Sequence, residues 1–142
     1  MIEESGYLPD LVVHMEETFP FRTTDLLDGM IQYLLADGYD SVIAAHPESG
    51  WLWKEAPDKS FQRVDSGDVP REFKERALVG LHGIGCVTHP EFIRSENMIG
   101  MNTGLYKVDY PLAGLEVRDD NSARIASLVI DQFFQDNPCE YK

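Results

Sequence analysis

The apolar positions of the chain fall into short β-branched runs separated by stretches of helical spacing. Leu11-Val12-Val13-His14-Met15 is compact and apolar, which predicts a buried strand. A polar segment with one proline follows, Glu16-Glu17-Thr18-Phe19-Pro20-Phe21-Arg22, and reads as a loop. Thr23 and Thr24 then offer an N-cap, and Asp25 suits a first helical turn. Leu26, Leu27, Met30, Ile31, Leu34 and Leu35 recur at helical spacing, and Gly38 stands where a C-terminal glycine closes a helix. Ser41-Val42-Ile43-Ala44-Ala45 predicts a second strand. Strand, helix and strand within this length match a βαβ crossover, so the two strands are expected to be parallel neighbours.

The middle of the chain is less regular. His46 to Gly50 reads as a turn, Trp51-Leu52-Trp53-Lys54 as a short strand, and Ala56 to Pro70 as polar loop. A single helical turn is expected at Pro70–Arg76. Ala77 to Val87 reads as a strand punctuated by glycines, a pattern of close backbone approach or a bulge. His89 to Arg94 is a short helix with proline in its first turn. Gly104–Val108 and Gly114–Val117 predict two more strands. A helix then begins near Asp119-Asp120-Asn121-Ser122, forms one apolar face from Ile125, Leu128, Val129 and Phe133 that Ile130 and Phe134 widen, and stops at Asn137-Pro138. No repeat or low-complexity tract is visible, and the elements predict an α/β fold.

Composition narrows the partners. The chain has 142 residues, a one-domain length, and a net charge of −13. That acid excess argues against nucleic acid and against an anionic membrane surface. No apolar run approaches a membrane-spanning length, and the opening residues do not read as a charged-then-apolar signal peptide. The first cation is Arg22, after four Glu and one Asp. Two cysteines, Cys86 and Cys139, have neither a disulfide nor a zinc pattern. Cys86 in an apolar run reads as a buried hydrophobe, and the thiol usage fits a cytoplasmic protein.

Two segments hold candidate chemistry. The loop Glu16–Arg22 would lie beyond the carboxyl end of a strand, where open α/β sheets bind ligands. Its carboxylates, the Thr18 hydroxyl and the Arg22 guanidinium suit a polar, anionic substrate; the plainer alternative is a surface turn stiffened by Pro20. Glu116-Val117-Arg118-Asp119-Asp120 could hold a divalent cation, or its aspartates could simply cap a helix. His82 precedes Gly83, which would let a ligand approach the backbone; His14 reads as a hydrogen-bonded core residue. Phe19, Phe21, Trp51 and Trp53 either line a pocket or pack the core.

These segments together resemble the acylneuraminate cytidylyltransferase family. Met15 to Arg22 is similar to the family's L-Q-P-T-S-P-L-R loop, with Glu16 in place of glutamine. Asp25-Leu26-Leu27-Asp28-Gly29-Met30-Ile31 resembles its D-I-D-E-A-I helix, and Asp40-Ser41-Val42-Ile43-Ala44 its D-S-V-V-S strand. His46-Pro47 resembles the His-Pro that often follows. His82-Gly83-Ile84-Gly85 lies where the family tends to have N-G-A-I-Y. Glu116 to Ala123 corresponds loosely to D-I-D-T-x-x-D-L, with Arg118 replacing the second aspartate.

The resemblance implies a three-layer nucleotidyltransferase-like, Rossmann-like mixed sheet with flanking helices. It implies transfer of CMP from CTP to sialic acid or a related acidic sugar, with release of pyrophosphate and with Mg²⁺ as cofactor. It assigns Arg22 and Lys54 to catalysis, Glu16, Thr18, Arg71, His82 and Gly83 to substrate binding, and Glu116 and Asp119 to the metal. A homodimer through a lobe at about residues 51–101 is expected. The family's phosphate-binding L-x-x-R-x-G-S-K loop has no counterpart before Leu11, so the expected role is that of the carboxy-terminal part of a longer enzyme, with a sheet incomplete at its amino-terminal side and no activity alone. Two alternatives stay open: a non-catalytic binding or oligomerisation module, and a sugar-nucleotide-dependent glycosyltransferase.

Overall fold

The computed structural model describes residues 2–65 and 77–136. Arg71, the helical turn expected at Pro70–Arg76, Cys139 and the Asn137-Pro138 stop lie outside the described residues.

A mixed five-stranded sheet organises the core. Its strands are β1 (Val12–His14), β2 (Ser41–Glu48), β5 (Ala77–Gly80), β6 (Cys86–Thr88) and β7 (Thr103–Lys107). A separate hairpin pairs β3 (Trp53–Glu55) with β4 (Phe61–Arg63). The helices are α1 (Leu26–Asp37), α2 (Pro90–Arg94) and α3 (Asp120–Asp136).

β2 is the central strand. It runs parallel to β7 on one edge and antiparallel to β5 and β6 on the other. β1 pairs antiparallel with β6, so β1 and β2 share a direction but are not neighbours. This corrects the expected adjacent pair. A crossover helix sets the relative direction of two strands and leaves room for a third between them.

β5 and β6 are two halves of one segment opposite β2. Ala45 pairs with Gly80 and Ile43 with Cys86, so Ala44 alone faces Leu81–Gly85. Ala44 accepts from Leu81 N–H at 2.8 Å and donates to the Gly85 carbonyl at 2.9 Å. The intervening residues bulge out as a turn, with Ile84 N–H donating to the Leu81 carbonyl at 3.1 Å, in keeping with the close approach or bulge read from the glycines. At Gly85 an added Cβ would lie 3.0 Å from Met30 Sδ and 3.2 Å from Leu27 Cδ2, so α1 packs tightly there.

α1 forms because Leu26, Met30 and Leu34 recur every four residues, and all three are buried. They pack on Val42, Ala44, Val87 and Ile84. Gly38 closes the helix in the left-handed conformation, its N–H bonded to the Leu34 carbonyl. The N-cap is Asp25, with no side-chain capping bond, not Thr23 or Thr24. Leu35 is exposed.

Four further expectations change. β2 extends through His46-Pro47-Glu48, which had read as a turn. Ala44 directs its backbone groups toward the bulge, so alternation turns Pro47 toward the β7 side. Pairing with β7 ends at Ala45↔Lys107, so the missing N–H of Pro47 costs no ladder bond. β4 lies inside the segment read as loop. Gly114–Val117 is no strand; Pro111–Gly114 is a 3₁₀ turn. α3 packs Ala126 and Phe133 on Phe21 and the 110–117 segment, forming a second small core, while Ile125 and Leu128 are exposed.

Candidate functional site

The loop after β1 is fastened to the bulge by Arg22. Its Nε donates to the Ile84 carbonyl at 2.6 Å and one terminal nitrogen donates to the Gly83 carbonyl at 2.6 Å. The same nitrogen donates to the Glu16 carbonyl. Glu16 N–H in turn donates to the Gly83 carbonyl at 2.9 Å. Burial pulls the Arg22 guanidinium below its ordinary value, against an opposing pull from Glu16. Three of its hydrogen bonds thus end on main-chain carbonyls, and they tie the loop to the sheet.

Gly83 serves the same junction. A Cβ there would meet the Phe19 ring, at 2.7 Å from its Cδ2, and the Glu16 carboxyl carbon at 3.1 Å. The space above Gly83 is therefore filled by the protein's own loop, where the pattern had suggested a ligand. Phe19 and Phe21 are buried and belong to the core; Trp51 and Trp53 are exposed.

Fastening the loop brings distant residues together. Val117 N–H donates to the Thr18 carbonyl at 2.7 Å, which sets the 116–119 segment beside the loop. Arg118 then reaches both chains. Its Nε donates to Glu116 Oε1, and a terminal nitrogen lies 3.4 Å from Glu16 Oε2. Thr18 Oγ1 donates to the same Glu16 oxygen at 3.3 Å. The hydrogen bond to Glu116, followed by the charges of Glu116 and Glu16, raises the Arg118 guanidinium above its ordinary value. The Arg118 side chain is 65% exposed and those of Glu16 and Glu116 are 38% and 31% exposed, so the cluster is open to solvent. It lies beyond the carboxyl end of β1, the side of an open sheet that takes ligands.

Asp119 has a different task. Its Oδ1 accepts from Ser122 N–H at 2.7 Å and from Ser122 Oγ at 2.8 Å, while Ser122 Oγ accepts from Asp119 N–H at 3.0 Å and Arg118 N–H at 3.1 Å. This is reciprocal capping of α3. The backbone bond from Ser122, then its hydroxyl, holds the Asp119 carboxyl below the usual aspartate range.

Mg²⁺ does not fit Glu116 and Asp119 as they stand. Glu116 already neutralises a guanidinium, Asp119 is turned to its helix, and a second cation beside Arg118 would be repelled. Among the described residues no three His, Cys, Asp or Glu side chains are grouped to hold a metal.

The remaining expected residues lie on other elements. Lys54 is exposed on the β3–β4 hairpin, opposite Gln62. His82 is half-buried on the bulge. At His14, read as a hydrogen-bonded core residue, the Nδ1 atom is buried and has no partner among the described residues. Cys86 is buried as expected, and burial raises its thiol. Arg118 is the residue that the sequence pattern undervalued. It reads as the loss of a metal carboxylate, although an arginine flanked by acids is itself a signal of an ion-paired cluster.

No helix among the described residues is long and apolar enough to cross a membrane. Comparison with known families finds no matching family model, and no curated protein matches the chain.

Proposed function

We propose that this chain is a cytidylyltransferase-like protein with a Rossmann-like nucleotidyltransferase fold and a site for an acidic sugar. Such a protein moves CMP from CTP to sialic acid or a related acidic sugar and releases pyrophosphate. The observation that carries the reading is the convergence of Glu16, Thr18, Glu116 and Arg118 beyond the end of β1. Carboxylates accept from sugar hydroxyls, the threonine hydroxyl does both, and the guanidinium donates to an acid group. Arg22 and Gly83 hold the loop that presents two of these groups, so their part is positioning. In the overall reaction a sugar hydroxyl attacks the α-phosphate and pyrophosphate leaves. Mg²⁺ enters this reading as the companion of CTP, and no step is assigned to it at Glu116 or Asp119.

A second reading, a non-catalytic binding or oligomerisation module, is favoured by two observations. The acids expected to hold the metal are engaged by Arg118 and Ser122. The β3–β4 hairpin, inside the expected dimer lobe, leaves Trp53 and Phe61 exposed. One set of measurements separates the readings. The protein is titrated calorimetrically with a panel of acidic sugars, then incubated with each sugar, CTP and Mg²⁺ while pyrophosphate is recorded. Sugar binding with pyrophosphate release supports transfer. Binding without release supports the module, and no binding of any sugar overturns both as sugar proteins.

A further inference from the structure

We infer that Arg118 is the receptor for the ligand's carboxylate, and that Glu16 occupies that place until the ligand displaces it. The inference deepens the acid-sugar reading and rests on it. Three features of the cluster carry it.

The first is how the guanidinium is divided. Nε is bonded to Glu116, the nearer neighbour in sequence. The terminal nitrogen toward Glu16 makes only a long contact of 3.4 Å. The other terminal nitrogen has no partner among the described residues. An arginine held at Nε still presents its two terminal nitrogens as a fork, the geometry that grips a carboxylate with two parallel bonds.

The second is how the residue is anchored. Ser122 Oγ accepts from the Arg118 N–H, inside the reciprocal cap that starts α3. Val117 N–H is bonded to the Thr18 carbonyl. The backbone is therefore fixed on both sides while the side chain stays 65% exposed. A ligand meets a cation aimed by its surroundings, not a free surface side chain.

The third is what Glu16 tells of the ligand. The group that takes its place must resemble it, a planar anion with two oxygens. A contact this long between exposed groups is worth little, so exchanging it for a two-bond grip is favourable. Thr18 Oγ1 remains to bond the displaced Glu16. With Glu116 and Glu16 both charged, the cluster carries one net negative charge, which opposes an anionic ligand. Removing the Glu16 charge should therefore tighten binding.

The test is calorimetry of the 142-residue protein with three probes: N-acetylneuraminate, its methyl ester, and CMP. The wild type should bind the acid more tightly than the ester. Arg118→Lys keeps the charge but loses the fork, and should weaken the acid about tenfold while leaving the ester unchanged. Glu16→Gln should tighten the acid by up to about fivefold, a gain that no folding defect imitates. Equal binding of the acid by wild type and Arg118→Lys, with wild-type binding intact, overturns the inference and leaves the acid-sugar reading standing. Loss of CMP binding alone in Arg118→Lys assigns the fork to a phosphate and also overturns it. Failure of the wild type to bind any sugar overturns both.

Discussion

Replacing Arg22 with alanine separates a structural role from a catalytic one. The side chain donates to the carbonyls of Ile84, Gly83 and Glu16. Two of these carbonyls have a second donor: Gly83 accepts from Glu16 N–H and Glu16 from Phe19 N–H. The Ile84 carbonyl is the more exposed to loss. A hydrogen bond from a charged donor contributes about 1.5–3 kcal/mol, and an orphaned buried carbonyl costs about 1–3 kcal/mol. Backup donors and entering water reduce the simple sum, so we expect Arg22→Ala to destabilise the protein by about 3 kcal/mol. That is a large part of a stability of about 5–15 kcal/mol. With a urea slope of about 1.5 kcal/mol/M, the unfolding midpoint falls by about 2 M at an unchanged slope. Arg22→Lys, which keeps charge but reaches fewer carbonyls, should lose about half as much. Urea unfolding followed by tryptophan fluorescence measures both. If Arg22→Ala unfolds within about 0.5 kcal/mol of wild type, a surface-type effect, the fastening role is wrong and the catalytic assignment returns.

Two more outcomes follow from the same junction and its neighbour. Gly83→Ala drives a methyl group into the Phe19 ring and the Glu16 carboxyl, so it should cost about 1–3 kcal/mol in thermal or urea unfolding; a neutral result would refute the packed junction. Asp119 has a folded-state pKa below its ordinary 3.8, so its contribution is present above that value and is lost as pH falls through the lowered one. Asp119→Asn should flatten the acid limb of the stability-versus-pH curve below about pH 4, and an unchanged limb would remove the cap from the account.

Helices were legible where one face repeats. Leu26, Met30 and Leu34 announce α1, Gly38 announces its end, and the acidic start of α3 announces its cap. Strand partners were less so, because alternation tells which face of a strand is buried and not which neighbour it meets. β6 slips between β1 and β2 for that reason. The β3–β4 hairpin was half hidden because it is exposed along most of its length, so its residues carry no burial pattern. In the site, Glu16 and Thr18 were readable as a loop beyond a strand. The role of Arg22 was not, since its acceptors Gly83 and Ile84 are main-chain carbonyls more than sixty residues away, and carbonyls leave no trace in side-chain pattern.

The chain's own pattern determined its α/β elements, the glycines of the bulge and the acid-rich character of its surface, because these depend on local spacing and composition. Only the tertiary structure decided that Arg22 fastens the loop, that Phe19 fills the space over Gly83, and that Arg118, bonded to Glu116, also meets Glu16 at a sequence separation of 102. Charge placement in three dimensions rests on which backbone segments pair. Here the bulge opposite Ala44 receives the Arg22 bonds that hold the loop, and Val117 N–H on the Thr18 carbonyl brings the Arg118 segment beside it.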